Sequence, residues 1–202
     1  ITGHYCRLLD PSRSYRPTSP YGGHTNSCIT IGDSHHTARF DLATGKWDKA
    51  EYLESVKIVG RFMSESACSG TPPMLSLQKF LSPDDIGDPG DAMYEYHTKN
   101  NPHFPPGTPT LYQMLKINAE NLFGKTGDID QKVARLGYIQ HEWIRISMEA
   151  ARRNKWYCSG LQYWMYNDCW PAVGWSVVDY YGFPKAGWYG LKRACKPVIA
   201  SI

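Results

Sequence analysis

The sequence predicts an α/β fold on a parallel sheet, and within that class the second half of a (β/α)8 barrel with about four strand–helix units. Three observations carry this expectation. Short apolar runs alternate with longer segments of helical periodicity, as in strand–helix repeats around a parallel sheet. The runs end on polar or charged side chains, and in a barrel the chemistry collects at strand C-termini. No glycine-rich phosphate loop follows a run, which counts against a flavodoxin-like open sheet. A whole barrel takes about 250 residues. With four strand runs, the 202 residues therefore read as one partial barrel domain, residues 1–202, with no second domain.

His4 to Leu9 reads as the first strand, leaving through Asp10-Pro11-Ser12-Arg13 into a Pro/Gly-rich loop from Pro17 to Gly23. Cys28 to Gly32 reads as the second, leaving at Asp33-Ser34-His35-His36. Asp48 to Val56 is expected to be a helix, with Trp47 near its start. Lys57 to Ser64 reads as the third strand, with Glu65 at its exit. Pro72 to Leu81 is expected to be a short helix with Pro in its first turn. Residues 82–108 read as a long polar loop. Pro109 to Phe123 is a helix closed by Gly124. Asp128 to Asn154 is a long helix whose apolar face runs through Ile129, Val133, Leu136, Trp143 and Met148. Cys158 to Tyr166 reads as the fourth strand and Pro184 to Ala194 as the last helix. Because the chain opens inside a strand run and lacks an initiator Met, it is expected to be a piece of a longer, multidomain polypeptide.

Composition excludes several classes of function. Hydrophobic content of 42% and charged content of 20% describe a globular protein. The net charge of +3 is too small to imply a nucleic-acid partner. Arg152, Arg153 and Lys155, like Lys192, Arg193 and Lys196, sit where helices are expected to end and complement the helix dipole. No apolar run is long enough to cross a bilayer, so no membrane partner is expected. The six cysteines form no C-x-x-C pair, and no Cys/His spacing suggests a metal site. The adjacent His35 and His36 would point to opposite faces of a strand, which disfavours a two-histidine metal site. Trp47, Trp143, Trp156 and Trp188 read as packing residues.

The candidate chemistry lies at the strand exits. Asp10, Asp33, Glu65 and Asp168 each end a run, and an acid there commonly caps the next turn. Glu65 differs because Glu is a poorer cap than Asp and reaches further into a cleft. Pairing with Arg61 or Arg39 is the structural alternative. The run Tyr163-Trp164-Met165-Tyr166-Asn167-Asp168-Cys169-Trp170-Pro171 places hydrogen-bonding side chains between indole rings, which suits a sugar's hydroxyls and its C–H face. A buried strand followed by a capped turn is the alternative there. Hydrolysing a glycosidic bond needs two carboxyl groups, and in the retaining version they lie about 5–5.5 Å apart.

Those residues, continued by Trp175-Ser176, Asp179-Tyr180-Tyr181-Gly182 and Pro184-Lys185-Ala186, closely resemble the last barrel strand of glycoside hydrolase family 2 in its β-mannosidase branch. Asp10-Pro11-Ser12-Arg13-Ser14-Tyr15 with Thr18-Ser19-Pro20 resembles the branch's fifth-strand segment. Gly32-Asp33-Ser34-His35 resembles the sixth, and Arg61-Phe62-Met63-Ser64-Glu65 the seventh. Tyr96-His97-Thr98-Lys99-Asn100 resembles its His-x-Lys-Asn loop. The resemblance covers nearly the whole chain, in register. It implies a retaining exo-β-glycosidase acting on terminal non-reducing β-linked sugars, β-mannosidase first, with no cofactor. Exo-β-glucosaminidase or another family 2 glycosidase is the alternative, as is a non-catalytic half-barrel. It implies Glu65 as nucleophile, Trp164 under the sugar, and His35, Asn167 and Asp168 near its hydroxyls. His36 and Trp170 complete the candidate substrate-binding set, and Arg13 is expected to brace the barrel. The family's acid/base glutamate is expected before Ile1, so the missing N-terminal part is the implied partner and this stretch alone is expected to be inactive. Two further departures stand out. His36-Thr37 occupies the place of an aromatic residue, and Ser66-Ala67 follows the nucleophile in place of an aromatic and Gly.

Overall fold

The structure is a computed structural model and describes residues 1–25, 28–35, 59–98 and 106–201. The element order is α1 (Thr2–Leu9), β1 (Ser34–His35), β2 (Met63–Ser66), α2 (Met74–Leu77), α3 (Pro83–Gly87), α4 (Ala92–Tyr96), α5 (Leu111–Phe123), α6 (Ile129–Arg153), β3 (Leu161–Tyr163) and α7 (Ala186–Ala194). The strands form one parallel sheet in the order β1-β2-β3. The chain is thus α/β with a parallel sheet, as expected.

The long helices follow from local signals. Thr110 and Gln113 form a reciprocal capping box at the start of α5, and Gly124 closes it at φ 77°. The Asp128 carboxylate accepts from the Gln131 amide and starts α6. α6 organises the core because three stripes of its surface meet three partners. Val133, Leu136 and Ile139 pack with Leu77, Leu81, Tyr94 and Tyr112. Trp143, Ile146 and Ala150 cover Met63 under the sheet, and Ile144 and Met148 meet Val177 and Ala194. Ile129, expected on this face, is exposed because it occupies the first turn. Arg152, from the last turn of α6, donates to the carbonyls of Ala194 and Lys196 at the end of α7.

Four sequence expectations are corrected. His4 to Leu9 is not a strand but part of α1, which buries no residue. Ile1, Tyr5, Leu8 and Leu9 recur at helical rather than alternating spacing, so the helical period prevails. Asp10 therefore ends a helix and accepts from Ser12 and Arg13 in a local turn; Arg13, expected as a brace, stays exposed on that turn. Cys28 to Gly32 forms no strand. Pairing begins at Ser34, after Gly32 (φ 72°), where a Cβ would lie 2.0 Å from the Tyr21 carbonyl oxygen. Residues 82–108 are not one loop. Ser82 and Asp85 form a capping box with Pro83 at the first turn of α3, and α4 follows. Trp156, expected to pack, is 94% exposed. The helix expected at Asp48 to Val56, Trp47, His36, Arg39, Lys99 and Asn100 lie outside the described residues.

Candidate active site

The sheet has one face covered by α6 and one open face. Leu161 and Tyr163 pack toward the helices, so by alternation Gln162 and Trp164 turn to the open face. Gln162 there joins Phe62, Ser64, Asp33, Ser19 and Tyr21 in lining an open cleft of about 830 Å³. The Trp164 amide donates to the Ser66 carbonyl, which sets the Trp164 backbone beside the end of β2, and its side chain is 46% exposed. The Trp164–Met165 peptide is cis.

Strict alternation along β2 would bury Glu65 with Met63 beneath α6. The register prevents this. Ser34 and His35 pair with Met63 and Glu65, while Leu161 and Tyr163 pair with Met63 and Ser66. Both neighbours thus show one extra residue in β2, a β-bulge that re-aims a side chain. The burial pattern agrees: Met63 and Ser66 are buried, whereas Ser64 and Glu65 between them are half-buried. The Glu65 Oε2 lies 3.7 Å from His35 Nδ1, an ion pair when the imidazole is protonated. Of the two arginines expected as its alternative partners, Arg61 stacks over Tyr157 at 4.3 Å, and Arg39 lies outside the described residues.

A hydroxyl network that sequence reasoning left out of the site runs beside this pair. Ser19 Oγ lies 3.0 Å from Asp33 Oδ2, 2.9 Å from Ser64 Oγ and 3.4 Å from His35 Nε2. The Tyr21 amide donates to Asp33 Oδ1 at 2.7 Å. Burial works to raise the Asp33 pKa, but hydrogen bonds from Ser64, Tyr21 and Ser19 prevail and hold it below the usual carboxylate range. The only sequence signal was Ser19 beside a proline and Asp33 at an exit.

Asp168, expected near the hydroxyls, is enclosed instead. Its Oδ2 sits 3.0 Å from Lys185 Nζ, both side chains fully buried, and accepts from the Ser176 hydroxyl. Lys185 also donates to the carbonyls of Gly70 and Gly174. Beside it, the buried Gln140 amide donates to the Cys68 and Ser176 carbonyls and accepts from the Gly187 amide. The Tyr163 hydroxyl lies 2.9 and 2.8 Å from the Cys68 and Trp175 carbonyls; burial drives its pKa well above the ordinary phenol. These contacts tie the loops after β2 and β3 to α6. Asp168 therefore acts on the site from below, through the backbone it fixes. Asn167 remains exposed at the surface of that loop. Trp170 stacks on His97 at 5.0 Å, and His97 Nδ1 lies 2.8 Å from the Pro171 carbonyl oxygen. The structure thus brings Glu65, His35 and Trp164 to neighbouring strand ends and leaves Trp170 on a separate aromatic shelf.

Among the described residues, no three His, Cys, Asp or Glu side chains converge as a metal site would require. A second cavity of about 340 Å³ lies on the helical side, where buried Asp91 pairs with Lys116 and Lys132. It has no part in the strand-end chemistry.

No protein-family model matches the chain. β-Mannosidase B of Aspergillus oryzae is 28% identical over 199 residues, covering 96% of this chain and 22% of that protein. β-Mannosidase B of Thermothelomyces thermophilus is 29% identical over 214 residues, covering 100% of this chain and 23% of that protein. The crystal structure of a β-D-mannosidase from Dictyoglomus thermophilum superposes with a TM-score of 0.75 at 31% identity, covering 94% of this chain and 22% of that one. An exo-chitosanase of Amycolatopsis orientalis, at 21% identity, shares the fold with a TM-score of 0.55 over 76% of this chain and 18% of its own. The chain spans less than a quarter of the length of these relatives. Over nearly its whole length it is homologous to the β-mannosidases of glycoside hydrolase family 2 and corresponds to a segment of such an enzyme.

Proposed function

We propose that this chain supplies the second half of the catalytic barrel of a retaining exo-β-glycosidase that removes terminal non-reducing β-linked sugars, β-mannosides first among them. In this reading the three strands are the last three of the barrel, and residues 10–20 stand in place of the fifth. The observation that carries the reading is the bulge that turns Glu65 out of the core to the strand ends, between His35 and Trp164.

Glu65 is the nucleophile. Its carboxylate attacks the anomeric carbon as the bond from that carbon to the leaving oxygen breaks, and the leaving oxygen takes a proton from a second carboxylic acid. Water then attacks the same carbon, the bond to Glu65 breaks, and the second carboxylate takes the water's proton. That acid/base group comes from the part of the longer polypeptide outside this chain. Trp164 offers its face to the ring's C–H surface, and Asn167 reaches the hydroxyls. His35, 3.7 Å from the Glu65 carboxylate, helps to position it.

A covalent glycosyl-enzyme mechanism gives a simple test. In the full polypeptide, Glu65→Gln should abolish turnover of p-nitrophenyl β-mannoside, and Glu65→Gly should regain turnover with azide, giving an azido sugar. Wild-type activity in Glu65→Gln would end the proposal. Faster turnover of the β-glucosaminide than of the β-mannoside would keep the mechanism and change the sugar.

A further inference from the structure

We propose that Ser19 is a positioning residue for the nucleophile, acting through His35. This rests on the reading of Glu65 given above. The loop Pro17 to Gly23 supplies no group that would touch the anomeric carbon, yet it delivers one hydroxyl into the middle of a polar chain. Ser19 Oγ lies 3.0 Å from Asp33 Oδ2, 2.9 Å from Ser64 Oγ and 3.4 Å from His35 Nε2. On the other side of the imidazole, Nδ1 lies 3.7 Å from Glu65 Oε2. Asp33, Ser19, His35 and Glu65 thus stand in a row.

The row has a direction because a hydroxyl carries one proton and two lone pairs. Asp33 is ionised and only accepts, so the Ser19 proton points to it. A Ser19 lone pair can then accept from Nε2 of His35 whenever that nitrogen carries a proton. Nδ1 is left facing Glu65. When both nitrogens are protonated, the imidazolium is held toward the carboxylate by contacts at both ends. Without the Ser19 oxygen, the ring loses this contact on the side opposite Glu65.

The loop is built to hold Ser19 in place. The Asp33 amide donates to the Tyr21 carbonyl at 3.1 Å, and the Tyr21 amide donates back to Asp33 Oδ1 at 2.7 Å. The Thr18 hydroxyl donates to the Pro20 carbonyl at 2.9 Å. Gly32 allows the close approach, since any Cβ there would strike the Tyr21 carbonyl. Asp33 therefore has two tasks: one carboxylate oxygen docks the loop and the other orients the Ser19 proton.

The test uses the full polypeptide and its Ser19→Ala, Ser19→Thr and Glu65→Gln variants. Two quantities are measured: kcat and KM on the aryl β-glycoside that the wild type cleaves fastest, and the rate of covalent labelling by the matching 2-deoxy-2-fluoro glycosyl fluoride. In that labelling the bond from Glu65 to the anomeric carbon forms as the C–F bond breaks and fluoride leaves with the electron pair. Ser19→Ala is expected to lower both kcat and the labelling rate about 10- to 100-fold, the loss typical of a misplaced reacting group, with KM within about threefold. Ser19→Thr keeps the hydroxyl and should recover most of the rate. Labelling of Ser19→Ala at the wild-type rate would overturn the role. So would a loss that Thr does not recover and that follows a lowered melting temperature, since that marks a purely structural residue. A label on a residue other than Glu65, or turnover by Glu65→Gln, would instead overturn the nucleophile assignment itself.

Discussion

Glu65 and Asp168 are both acids near the C-terminal end of the same small sheet, yet their surroundings are opposite. Glu65 is half-buried and has His35 at 3.7 Å. Asp168 is sealed beneath the loop, with Lys185, Ser176 and two glycine carbonyls completing the cluster. An acid that must react keeps its partner loose and its face open. An acid that must hold a loop is paired and hydrogen-bonded, because a buried charge is tolerated only in that state. The comparison separates the part of the site that would do chemistry from the part that fixes its shape.

The largest expected effect breaks the first half of the comparison. In the full polypeptide, Glu65→Gln should lower kcat by at least about 10³-fold, more than 4 kcal/mol in the barrier, while the melting temperature stays near wild type. Steady-state kinetics beside thermal unfolding tests both limbs; a large loss of stability would place Glu65 in the same class as Asp168. The next effect is the mirror image. Lys185→Met leaves Asp168 charged and buried and should cost about 3–5 kcal/mol in urea unfolding. Adding Asp168→Asn to Lys185→Met should recover part of that loss, and failure to do so would show that the two groups are not coupled.

Gln140→Ala should be milder, about 1–3 kcal/mol, because it removes the amide bonds to the neutral carbonyls of Cys68 and Ser176 and opens space beside Gly70. A near-zero change would mean that water replaces the amide. The last effect is read from the pH dependence of stability. Burial works to raise the Glu142 pKa, but His141 and Arg145 prevail and hold it at about 2, against an ordinary value of 4.5. A depressed folded-state value contributes stability that is full above about 4.5 and fades as pH falls toward 2. Glu142→Gln should therefore lower stability at neutral pH by on the order of 2 kcal/mol and flatten its decline between pH 4.5 and 2. Unfolding curves across that range measure both.

Much of the helical framework was legible locally. Thr110 with Gln113, Asp128, and Gly124 mark helix ends within a few residues of themselves, and the apolar stripe of α6 repeats along one segment. The β-strands were less legible. They are two to four residues long, and their limits depend on what lies alongside; this is why Cys28 to Gly32 looked like a strand and Ser34–His35 is one. Glu65, His35 and Trp164 were picked out as residues, but alternation alone would have buried Glu65.

The sequence by itself determined the α/β class and the long helices, because caps and periodicity act over a few positions. Only the tertiary structure decided which acid stays half-exposed and which is sealed. The extra residue in β2 is visible only against both neighbouring strands. Asp168 meets Lys185 across 17 positions, and Ser19 meets Ser64 across 45. Such contacts arise from chain closure and packing, which no local pattern of residues records.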